Sequence, residues 1–429
     1  MTDLLVVGGG PGGVAAARTA ARLGARVTLI ERAGLGGTCV HAGCIPSGAL
    51  HRTVTALDEV VAASRIGVTV GPASVDWLRM LTWSGSVVQS AARLTRTTLE
   101  AAGIEVLTGS ARFTGPSSVQ AGERTFEGVP VVLATRAVSV PVSAEGGGRP
   151  TMTNEDAMAL DRAPGRLLVS GAGRFSIEWA DFFRHLGTAV TLSAAGDRIL
   201  PDEDADIAGL LQLLLEQRGI RFLLGSDAHA DEIDVDAILM ADARTPNLLG
   251  LDLEAAGVAT SAGAVTVDAQ GRTSVPGIYA AGDVTGPPWL SNRARAQGIA
   301  AATNALGGSA RLRPERIPRS VNTHPELAAV GLTEAQATAR GGPVAIGISE
   351  LAMSLRGMTL GEDQGALKLV VDSEFGEILG GHMLGAGATE VIAQVATAME
   401  LEADYRELGR VQHVHPSLAE LVTEAIASI

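Results

Sequence analysis

The apolar and polar positions of the chain follow one rhythm twice. Residues 4–31 give an apolar run, a glycine-rich turn, an amphipathic segment and a second apolar run, and residues 167–194 repeat that order. Short apolar runs favour buried parallel strands, and the amphipathic segments between them favour helices. The pattern therefore predicts two βαβ units of the dinucleotide-binding kind, giving two nucleotide sites or one working site and one decayed site.

The rest of the pattern predicts further parts of the molecule. Residues 50–103 have a mostly helical pattern, and Gly103 is a helix stop before a strand at residues 104–113. Loops at residues 142–150 and 313–319 interrupt the periodicity, and strands followed by helices fill the final third. We therefore predict an α/β fold with two Rossmann-like domains, one inserted in the other, and a C-terminal α+β domain.

Composition and charge narrow the function. The chain has 429 residues, of which 46% are hydrophobic, which is enough for two to three domains. A formal net charge of -14 disfavours nucleic acid and anionic membranes as partners. The apolar runs are too short for a membrane span, and the N-terminal strand has none of the features of a signal peptide. We expect a cytoplasmic protein that binds neither nucleic acid nor a membrane.

The first glycine turn has the composition of a pyrophosphate-binding loop. Gly8, Gly10 and Gly13 end a strand and open a helix, and Glu31 ends the following strand. Glycines permit close backbone approach to a pyrophosphate, the helix N-terminus attracts its charge, and a carboxylate at the strand end accepts from a ribose hydroxyl. The alternative is a turn that only packs a helix on a strand.

Cys39 and Cys44 are the only cysteines of the chain. Structural disulfides are rare in a reducing cytoplasm, so two cysteines this close together are more often catalytic. A helix N-terminus beside them would favour a thiolate. The alternative is a zinc site of Cys39, Cys44, His41 and His51, although that spacing matches no common zinc pattern. Neither interpretation places a metal ion elsewhere in the chain.

Residues 36–48, GGTCVHAGCIPSG, resemble the redox-disulfide signature of the pyridine nucleotide-disulfide oxidoreductases, which include dihydrolipoamide dehydrogenase and glutathione reductase. The resemblance implies that Cys39 exchanges with substrate and that Cys44 contacts the flavin. Residues 413–420, HVHPSLAE, resemble the family's C-terminal motif. It implies that His415 is the general acid/base and that Glu420 orients it, the alternative being an ordinary interface histidine.

Two further segments resemble the same family. Residues 273–286 resemble its second flavin contact, in which Asp283 would accept hydrogen bonds from the ribityl chain, and residues 322–337 resemble its dimerisation domain. The resemblance implies bound FAD, a nicotinamide partner, and a homodimer whose C-terminal motif reaches the neighbouring subunit's disulfide. The implied domains are an FAD-binding domain at residues 1–138 and 265–312, an NAD(P)-binding-like domain at residues 139–264, and a dimerisation domain at residues 313–429.

The chain departs from the family pattern on its nicotinamide side. Gly171 and Gly173 keep the second glycine turn, but Ser176 takes the position of its third glycine. Arg174 stands where the family has an aromatic residue over the flavin, and Ala194 replaces the acid that binds an NAD ribose. These departures leave open whether NADH, NADPH or neither binds.

Other departures lie near the flavin and at domain crossings. Gly48 replaces the lysine that pairs with a glutamate beside the flavin, whereas Glu178 matches that glutamate. A missing cation should make the flavin harder to reduce, unless Arg174 supplies the charge. Arg136 and Ala243 replace glycines at turns, where a side chain at positive φ costs about 1 kcal/mol.

Three hypotheses for the function follow. The first is an FAD-dependent enzyme that interconverts a dithiol and a disulfide with NAD(P)H. The second is a flavin dithiol oxidase that works without nicotinamide, and the third is a non-catalytic FAD-binding scaffold. The chain has no additional cysteine pair near its C-terminus, so the substrate would meet Cys39 directly. A lipoyl arm or a low-molecular-weight thiol or disulfide fits better than a folded protein.

Overall fold

The fold is that of a mixed α/β protein, and the computed structural model describes residues 2–140, 149–225 and 233–429. The helices are α1 Pro11–Arg22, α2 Gly37–Ala42, α3 Cys44–Ala62, α4 Trp77–Ala101, α5 Asn154–Met158, α6 Arg174–His185, α7 Ala205–Gln217, α8 Leu253–Ala256, α9 Ser291–Ala305, α10 Glu334–Arg340, α11 Leu355–Leu360, α12 Ala388–Glu400, α13 Tyr405–Leu408 and α14 Glu420–Ala427.

The strands form two parallel sheets, one larger antiparallel sheet and several small ones. They are β1 Leu4–Val7, β2 Val27–Glu31, β3 Glu105–Thr108, β4 Ala111–Gly115, β5 Ser118–Ala121, β6 Arg124–Glu127, β7 Val131–Leu133, β8 Ala137–Ser139, β9 Thr151–Met152, β10 Arg166–Ser170, β11 Ala189–Ala194, β12 Arg221–Leu224, β13 Ala237–Leu239, β14 Arg244–Pro246, β15 Thr260–Ser261, β16 Ala264–Val265, β17 Ile278–Ala280, β18 Arg319–Val321, β19 Leu327–Gly331, β20 Val344–Glu350, β21 Ala366–Asp372 and β22 Ile378–Leu384.

The first parallel sheet has the strand order β17-β7-β1-β2-β3. Its central strand β1 is buried at every position, as expected for an apolar run with a helix on each face. Helices α1 and α9 pack so closely that a Cβ at Gly298 would lie 2.1 Å from the carbonyl oxygen of Gly12. Because β17 follows the second glycine turn in sequence, the second α/β unit is inserted into the first, as predicted.

The second parallel sheet has the order β12-β11-β10-β13-β9 and repeats the strand-turn-helix order of the first. Its core joins Leu167 and Val169 of β10 to Trp179, Phe182 and Phe183 of α6. The C-terminal part is an antiparallel sheet, β18-β19-β22-β21-β20, covered by α12 and α14. The predicted fold class is therefore confirmed.

The mostly helical pattern predicted for residues 50–103 is confirmed, whereas the single strand predicted at residues 104–113 is wrong. The segment 50–103 is two helices, α3 and α4, and α4 begins where Asp76 accepts a hydrogen bond from the Arg79 N–H. α3 ends at Ala62 and continues into a 3-10 turn, Ala63–Ile66, which Gly67 ends at φ 87, and Gly103, at φ 70, follows α4 as expected. Residues 104–113 form two strands rather than one, because Gly109 turns the chain between β3 and β4 at φ 155.

Most of the predicted loop at residues 142–150 lies outside the described residues. In the described part of the chain, none of the helices combines the length and apolar character needed to cross a membrane.

Candidate active site

The first glycine turn brings three backbone segments into contact. Gly8 has φ 110, and a Cβ there would lie 2.2 Å from the Ala134 carbonyl oxygen. A Cβ at Gly13 would lie 1.8 Å from the carbonyl oxygen of Gly8, so both positions require glycine. Glu31 accepts hydrogen bonds from the N–H of Gly9 at 2.6 Å and of Ala33 at 2.7 Å. Its carboxylate thus fixes the turn and also borders a cleft.

That cleft continues into a second cavity, which ends at the cysteines. Gly10, Ala134 and Arg136 line both spaces. Glu31 lies along the first space, and Cys44 borders the second. The two spaces together form an elongated site that runs from the strand ends of the first sheet to the start of α3. An extended dinucleotide matches this shape, with its pyrophosphate at the N-terminus of α1.

The second cavity contains buried polar atoms that have no protein partner. They are Oγ1 of Thr38, Nε and Nη1 of Arg174, and Nε of Arg244. Burying unpaired polar groups costs free energy, so a bound polar group is expected there. Asp283 also lines this cavity; burial raises its pKa, and the charges of Arg244 and Arg293 act in the opposite direction. These residues fit the polar edges of a flavin dinucleotide.

Cys39 and Cys44 lie side by side as free thiols, Cys39 in α2 and Cys44 at the first position of α3. Cys44 Sγ is 3.2 Å from the hydroxyl of Ser291, the first residue of α9. A hydrogen bond from Cys39 lowers the pKa of Cys44, with Ser291 and the charge of Arg174 adding to the effect. The same contact and burial raise the pKa of Cys39. Of the two thiols, Cys44 is the one that ionises first.

Glu178 is the glutamate that the family pairs with a lysine, and Gly48 takes the position of that lysine in this chain. Glu178 is buried in α6, and one of its carboxylate oxygens accepts the N–H of Asn322 at 3.0 Å. Burial raises the pKa of Glu178 to about 7, although the charge of Arg174 pulls it down. A Cβ at Gly48 would meet no atom within 4 Å. Arg174 is thus the cation whose charge acts on both Glu178 and Cys44.

The second glycine turn differs from the first in the position of its carboxylate. Gly171 has φ 119, as a tight turn requires, and Oγ of Ser176 lies 3.3 Å from the Ser170 carbonyl oxygen and also within hydrogen-bonding reach of Asp242. The N–H of Gly173 donates to the carboxylate of Asp242 at 2.9 Å. Ala194 ends β11 without a polar group. Asp242 was not singled out by the sequence, because it reaches this turn from a distant strand end.

His415 and Glu420 form a hydrogen-bonded pair on the surface of the chain. Nδ1 of His415 lies 2.9 Å from a carboxylate oxygen of Glu420, and the other oxygen accepts the N–H of Ser417 at 2.8 Å. These contacts hold the pKa of Glu420 below its usual value. The side chain of His415 is 63% exposed, and neither residue lines the cavity beside the cysteines. Within one chain, His415 and Glu420 therefore do not share a cavity with Cys39 and Cys44.

The four residues of the alternative zinc site are not brought together. Nε2 of His41 lies 3.0 Å from the Leu35 carbonyl oxygen, and His51 packs against the ring of Phe182 at 5.5 Å. Both rings are thus engaged in contacts away from the cysteine pair. Among the described residues, no cluster of His, Cys, Asp or Glu side chains has the arrangement of a metal site.

The two substituted turn positions behave differently. Arg136 has φ 65, so its backbone is strained as expected, and its side chain borders both parts of the site. Ala243 does not adopt a left-handed conformation, so the expectation of strain was wrong there.

The sequence did not reveal Ser291 or Asn322, since each reaches the site from a segment far away in the chain.

Comparisons with known proteins show the family of this chain. The family model described as pyridine nucleotide-disulphide oxidoreductase matches residues 2–307, and the dimerisation domain of the same family matches residues 317–426. A dihydrolipoyl dehydrogenase of Thermus scotoductus is 35% identical, and the alignment covers 100% of this chain and 97% of that protein.

Solved structures show the same fold over the whole chain. LpdA from Mycobacterium tuberculosis has a TM-score of 0.92 at 28% identity, covering 100% of this chain and 99% of its own. The HOCl-induced flavoprotein disulfide reductase RclA from Escherichia coli, in its Cu(II) complex, has a TM-score of 0.87 at 27% identity, covering 99% of each chain. The chain therefore belongs to the pyridine nucleotide-disulphide oxidoreductase family and is an FAD-dependent oxidoreductase acting on sulfur groups.

Proposed function

We propose that this enzyme interconverts a small dithiol and its disulfide through Cys39 and Cys44, with NAD(P)H or its oxidised form as the other electron partner. The observation that carries the proposal is the position of the Cys44 thiol. It borders the cavity lined by Arg174 and Asp283, and its pKa is lowered by Cys39, Ser291 and Arg174. FAD bound in this cavity would supply two-electron redox chemistry next to that thiol.

The chemistry of the chain's own residues is thiol–disulfide exchange. Starting from a Cys39–Cys44 disulfide, a substrate thiolate attacks Sγ of Cys39 and breaks the S–S bond, releasing Cys44 as a thiolate. The second substrate thiolate then attacks the substrate sulfur of the mixed disulfide and releases Cys39. The substrate becomes a disulfide, and two electrons remain on the cysteine pair. Cys44 is the better leaving group because its pKa is the lower of the two.

His415 takes the proton from the attacking substrate thiol in this proposal, and Glu420 orients its ring. The 2.9 Å contact at Nδ1 leaves Nε2 free to exchange a proton. Because His415 is 63% exposed and absent from the cavity of its own chain, we assign its partner cysteines to a second copy. The match of residues 317–426 to a dimerisation domain supports such a homodimer.

The proposed substrate is a lipoyl-type dithiol in the cytoplasm. Support comes from relatives named dihydrolipoyl dehydrogenase, one of which is 35% identical over the full chain. Because Cys39 and Cys44 are the only cysteines of the sequence, the substrate meets Cys39 directly, which suits an extended arm better than a folded protein.

The test is an anaerobic titration of the FAD-loaded protein with dihydrolipoamide, in which the absorbance spectrum of the protein is recorded after each addition. The proposal predicts that one equivalent of dithiol produces a long-wavelength band from the Cys44 thiolate against the oxidised flavin. The Cys39→Ser variant should not be reduced by the dithiol, whereas a variant at an exposed site, Glu59→Gln, should behave as wild type. Reduction of Cys39→Ser at the wild-type rate would contradict the proposal.

A second candidate function is a dithiol oxidase that works without nicotinamide. Ala194 at the end of β11 and Ser176 in the second glycine turn favour it, since both replace residues that bind a dinucleotide. The same titration with NADH and NADPH separates the two candidates. Reduction by dihydrolipoamide but by neither nucleotide would select the oxidase, in which oxygen or another acceptor receives the electrons.

A further inference from the structure

The N-terminus of α6 is occupied by a side chain of the protein itself. The carboxylate of Asp242 accepts the N–H of Gly173 at 2.9 Å. A Cβ at Gly173 would lie 2.7–2.8 Å from its carboxylate atoms, and one at Gly171 would lie 2.7 Å from Oδ2. The carboxylate therefore lies in the mouth of the glycine turn, where the fold binds a dinucleotide's pyrophosphate.

Asp242 uses several of the donors that a phosphate would need. Burial holds the pKa of its carboxyl above the usual value, although the Ser176 hydroxyl and the N–H groups of Gly173, Phe175 and Ser176 offset part of this effect. The first N–H groups of a helix have no partner within the helix, so a carboxylate that accepts them acts as a cap. A phosphate entering this turn would meet donors already engaged and a negative charge at close range.

The first glycine turn of the same chain provides an internal comparison. Strand β7 pairs with β1 as β13 pairs with β10, and the residue that corresponds to Asp242 by this register is Thr135. Thr135 is neutral, and its hydroxyl donates to the carbonyl oxygen of Asn247 at 2.8 Å, away from α1. In the first turn the carboxylate of Glu31 accepts the N–H of Gly9, the residue before the N-cap Gly10 of α1, whereas in the second turn Asp242 accepts the N–H of Gly173, which is itself the N-cap of α6. The two turns therefore differ in which N–H group a carboxylate takes.

Two departures from the family pattern fit the same arrangement. Ser176, in place of the third glycine, supplies a hydroxyl that stabilises the charged form of Asp242. Ala194 removes the carboxylate that would otherwise hold a ribose and adds no cation in its place. Replacement of the glycine thus supplies a partner for Asp242 while weakening the nucleotide site.

We propose that Asp242 is an internal competitor for the second dinucleotide site, so that NAD(P)H binds only by displacing its carboxylate from the N-terminus of α6. Asp242 thereby sets the affinity for the nicotinamide partner. This inference rests on the proposed function, because that function assigns a nicotinamide dinucleotide to this domain.

The experiment measures binding of NAD⁺ and NADP⁺ to the FAD-loaded protein by calorimetry, without dithiol. Oxidised nucleotides cannot reduce the flavin, so the readout is affinity alone. Asp242→Asn removes the charge and keeps the shape, and Asp242→Thr copies the first turn. Glu216→Gln, an exposed carboxylate on α7 of the same domain, is the matched control. Retained FAD and an unchanged circular dichroism spectrum show that each variant folds.

The proposal predicts that both Asp242 variants bind at least one of the nucleotides at least about tenfold more tightly than wild type, and that Glu216→Gln does not. It is overturned if the dissociation constants of the Asp242 variants stay within about twofold of wild type, or if no variant binds measurably. If the variants do not fold, a wild-type dissociation constant in the low micromolar range overturns it. Since no dithiol is present, these outcomes are independent of whether Cys39 and Cys44 react with substrate.

Discussion

At the scale of single residues, Glu178 is a buried carboxyl that lacks the cation its surroundings could accommodate. Burial holds its pKa at about 7, and the charge of Arg174 offsets only part of that cost. Gly48 stands in α3 where a lysine would reach toward it, and the space around the missing Cβ is open. Arg174 is thus one of the cations at the cavity and the one whose charge acts on Glu178, and a further cation can be placed at position 48 without a steric clash.

Gly48→Lys should make the flavin easier to reduce. An ammonium near Glu178 favours its ionised form and stabilises negative charge on the reduced flavin. We predict that the two-electron midpoint potential rises by about 30 mV or more, measured by equilibration with a reference dye. Gly48→Met is the control, because it adds a similar length without the charge. Equal potentials for the lysine and methionine variants would contradict this explanation.

Sequence reasoning reached some residues of the site and missed others for a physical reason. The glycines of the first turn lie within one short segment, so local spacing indicated them, and the pairing of His415 with Glu420 was implied by the family resemblance of another short segment. Ser291 and Asp242 were missed because their contacts join segments 247 and 69 residues apart. Short motifs record local geometry, whereas contacts of this kind depend on how the two sheets are placed.

At the scale of elements, helices α3 and α6 connect the cavity to an ion-pair cluster formed by Asp58, Asp181 and His185. Their first residues, Cys44 and Arg174, border the cavity. At the far end, Nε2 of His185 lies 3.0 Å from Asp58, and Nδ1 lies 2.7 Å from the Asp181 carbonyl oxygen. These contacts fix the two helices relative to one another, and with them the residues at the cavity.

The Asp58–His185 pair should make stability depend on pH. Burial alone would lower the pKa of His185, but Asp58 and Asp181 raise it above its usual value. A raised pKa means that the stabilisation is fully present below pH ~6.5 and is lost as pH rises through the folded-state pKa. Because Asp58 is partly exposed, we predict a modest loss of unfolding free energy for Asp58→Asn, about 1 kcal/mol at pH 6 and less at pH 9.

Denaturant unfolding at the two pH values measures this difference between variant and wild type. Glu59→Gln is the control, since its side chain is exposed and its contact to Arg52 is 3.4 Å. An Asp58→Asn cost that is the same at both pH values would show that the pair does not titrate as described.

Element boundaries were harder to predict than element types. Residues 50–103 have a mostly helical pattern, but that pattern did not show that α3 ends at Ala62 and that α4 begins at Trp77. Apolar residues between the two helices, such as Val68 and Val70, are exposed. Their positions in the sequence therefore did not indicate where either helix ends. The repeated strand-turn-helix units were predicted correctly because their glycine turns and apolar strands point to the same structure.

At the scale of the whole molecule, the only lysine of the chain joins the inserted α/β unit to the C-terminal sheet. Lys368 of β21 has a side chain only 3% exposed, and its Nζ lies 3.0 Å from Asp204 and 2.7 Å from Glu334. Asp204, at the N-terminus of α7, is equally buried. The pair therefore links two parts that lie about 160 residues apart.

Lys368→Met should destabilise the protein strongly, because it leaves the buried charge of Asp204 without its partner. We predict a loss of about 3–5 kcal/mol in unfolding free energy, measured by denaturant titration. Arg26→Met breaks an exposed pair with Asp3 and should cost less than about 1 kcal/mol. Adding Asp204→Asn to Lys368→Met should recover part of the loss. A cost for Lys368→Met no larger than that for Arg26→Met would exclude this role.

The three-part organisation could be predicted from the sequence, but the contacts between its parts could not. The insertion of one α/β unit in the other follows from two glycine turns separated along the chain. The Lys368 cluster has no local pattern, since a lysine in an apolar strand is equally consistent with a solvent-facing edge. Its burial is decided by the α7 carboxylates that meet it.

The most direct test of the central claim, that Cys44 is the thiol beside the flavin, is the visible spectrum of the Cys39→Ser variant loaded with FAD and without reductant. This variant cannot form the disulfide, so Cys44 remains a thiolate facing the cavity at neutral pH. We predict a long-wavelength thiolate-flavin band in Cys39→Ser and none in Cys44→Ser. A band in Cys44→Ser, or in neither variant, would contradict the assignment of the two cysteines.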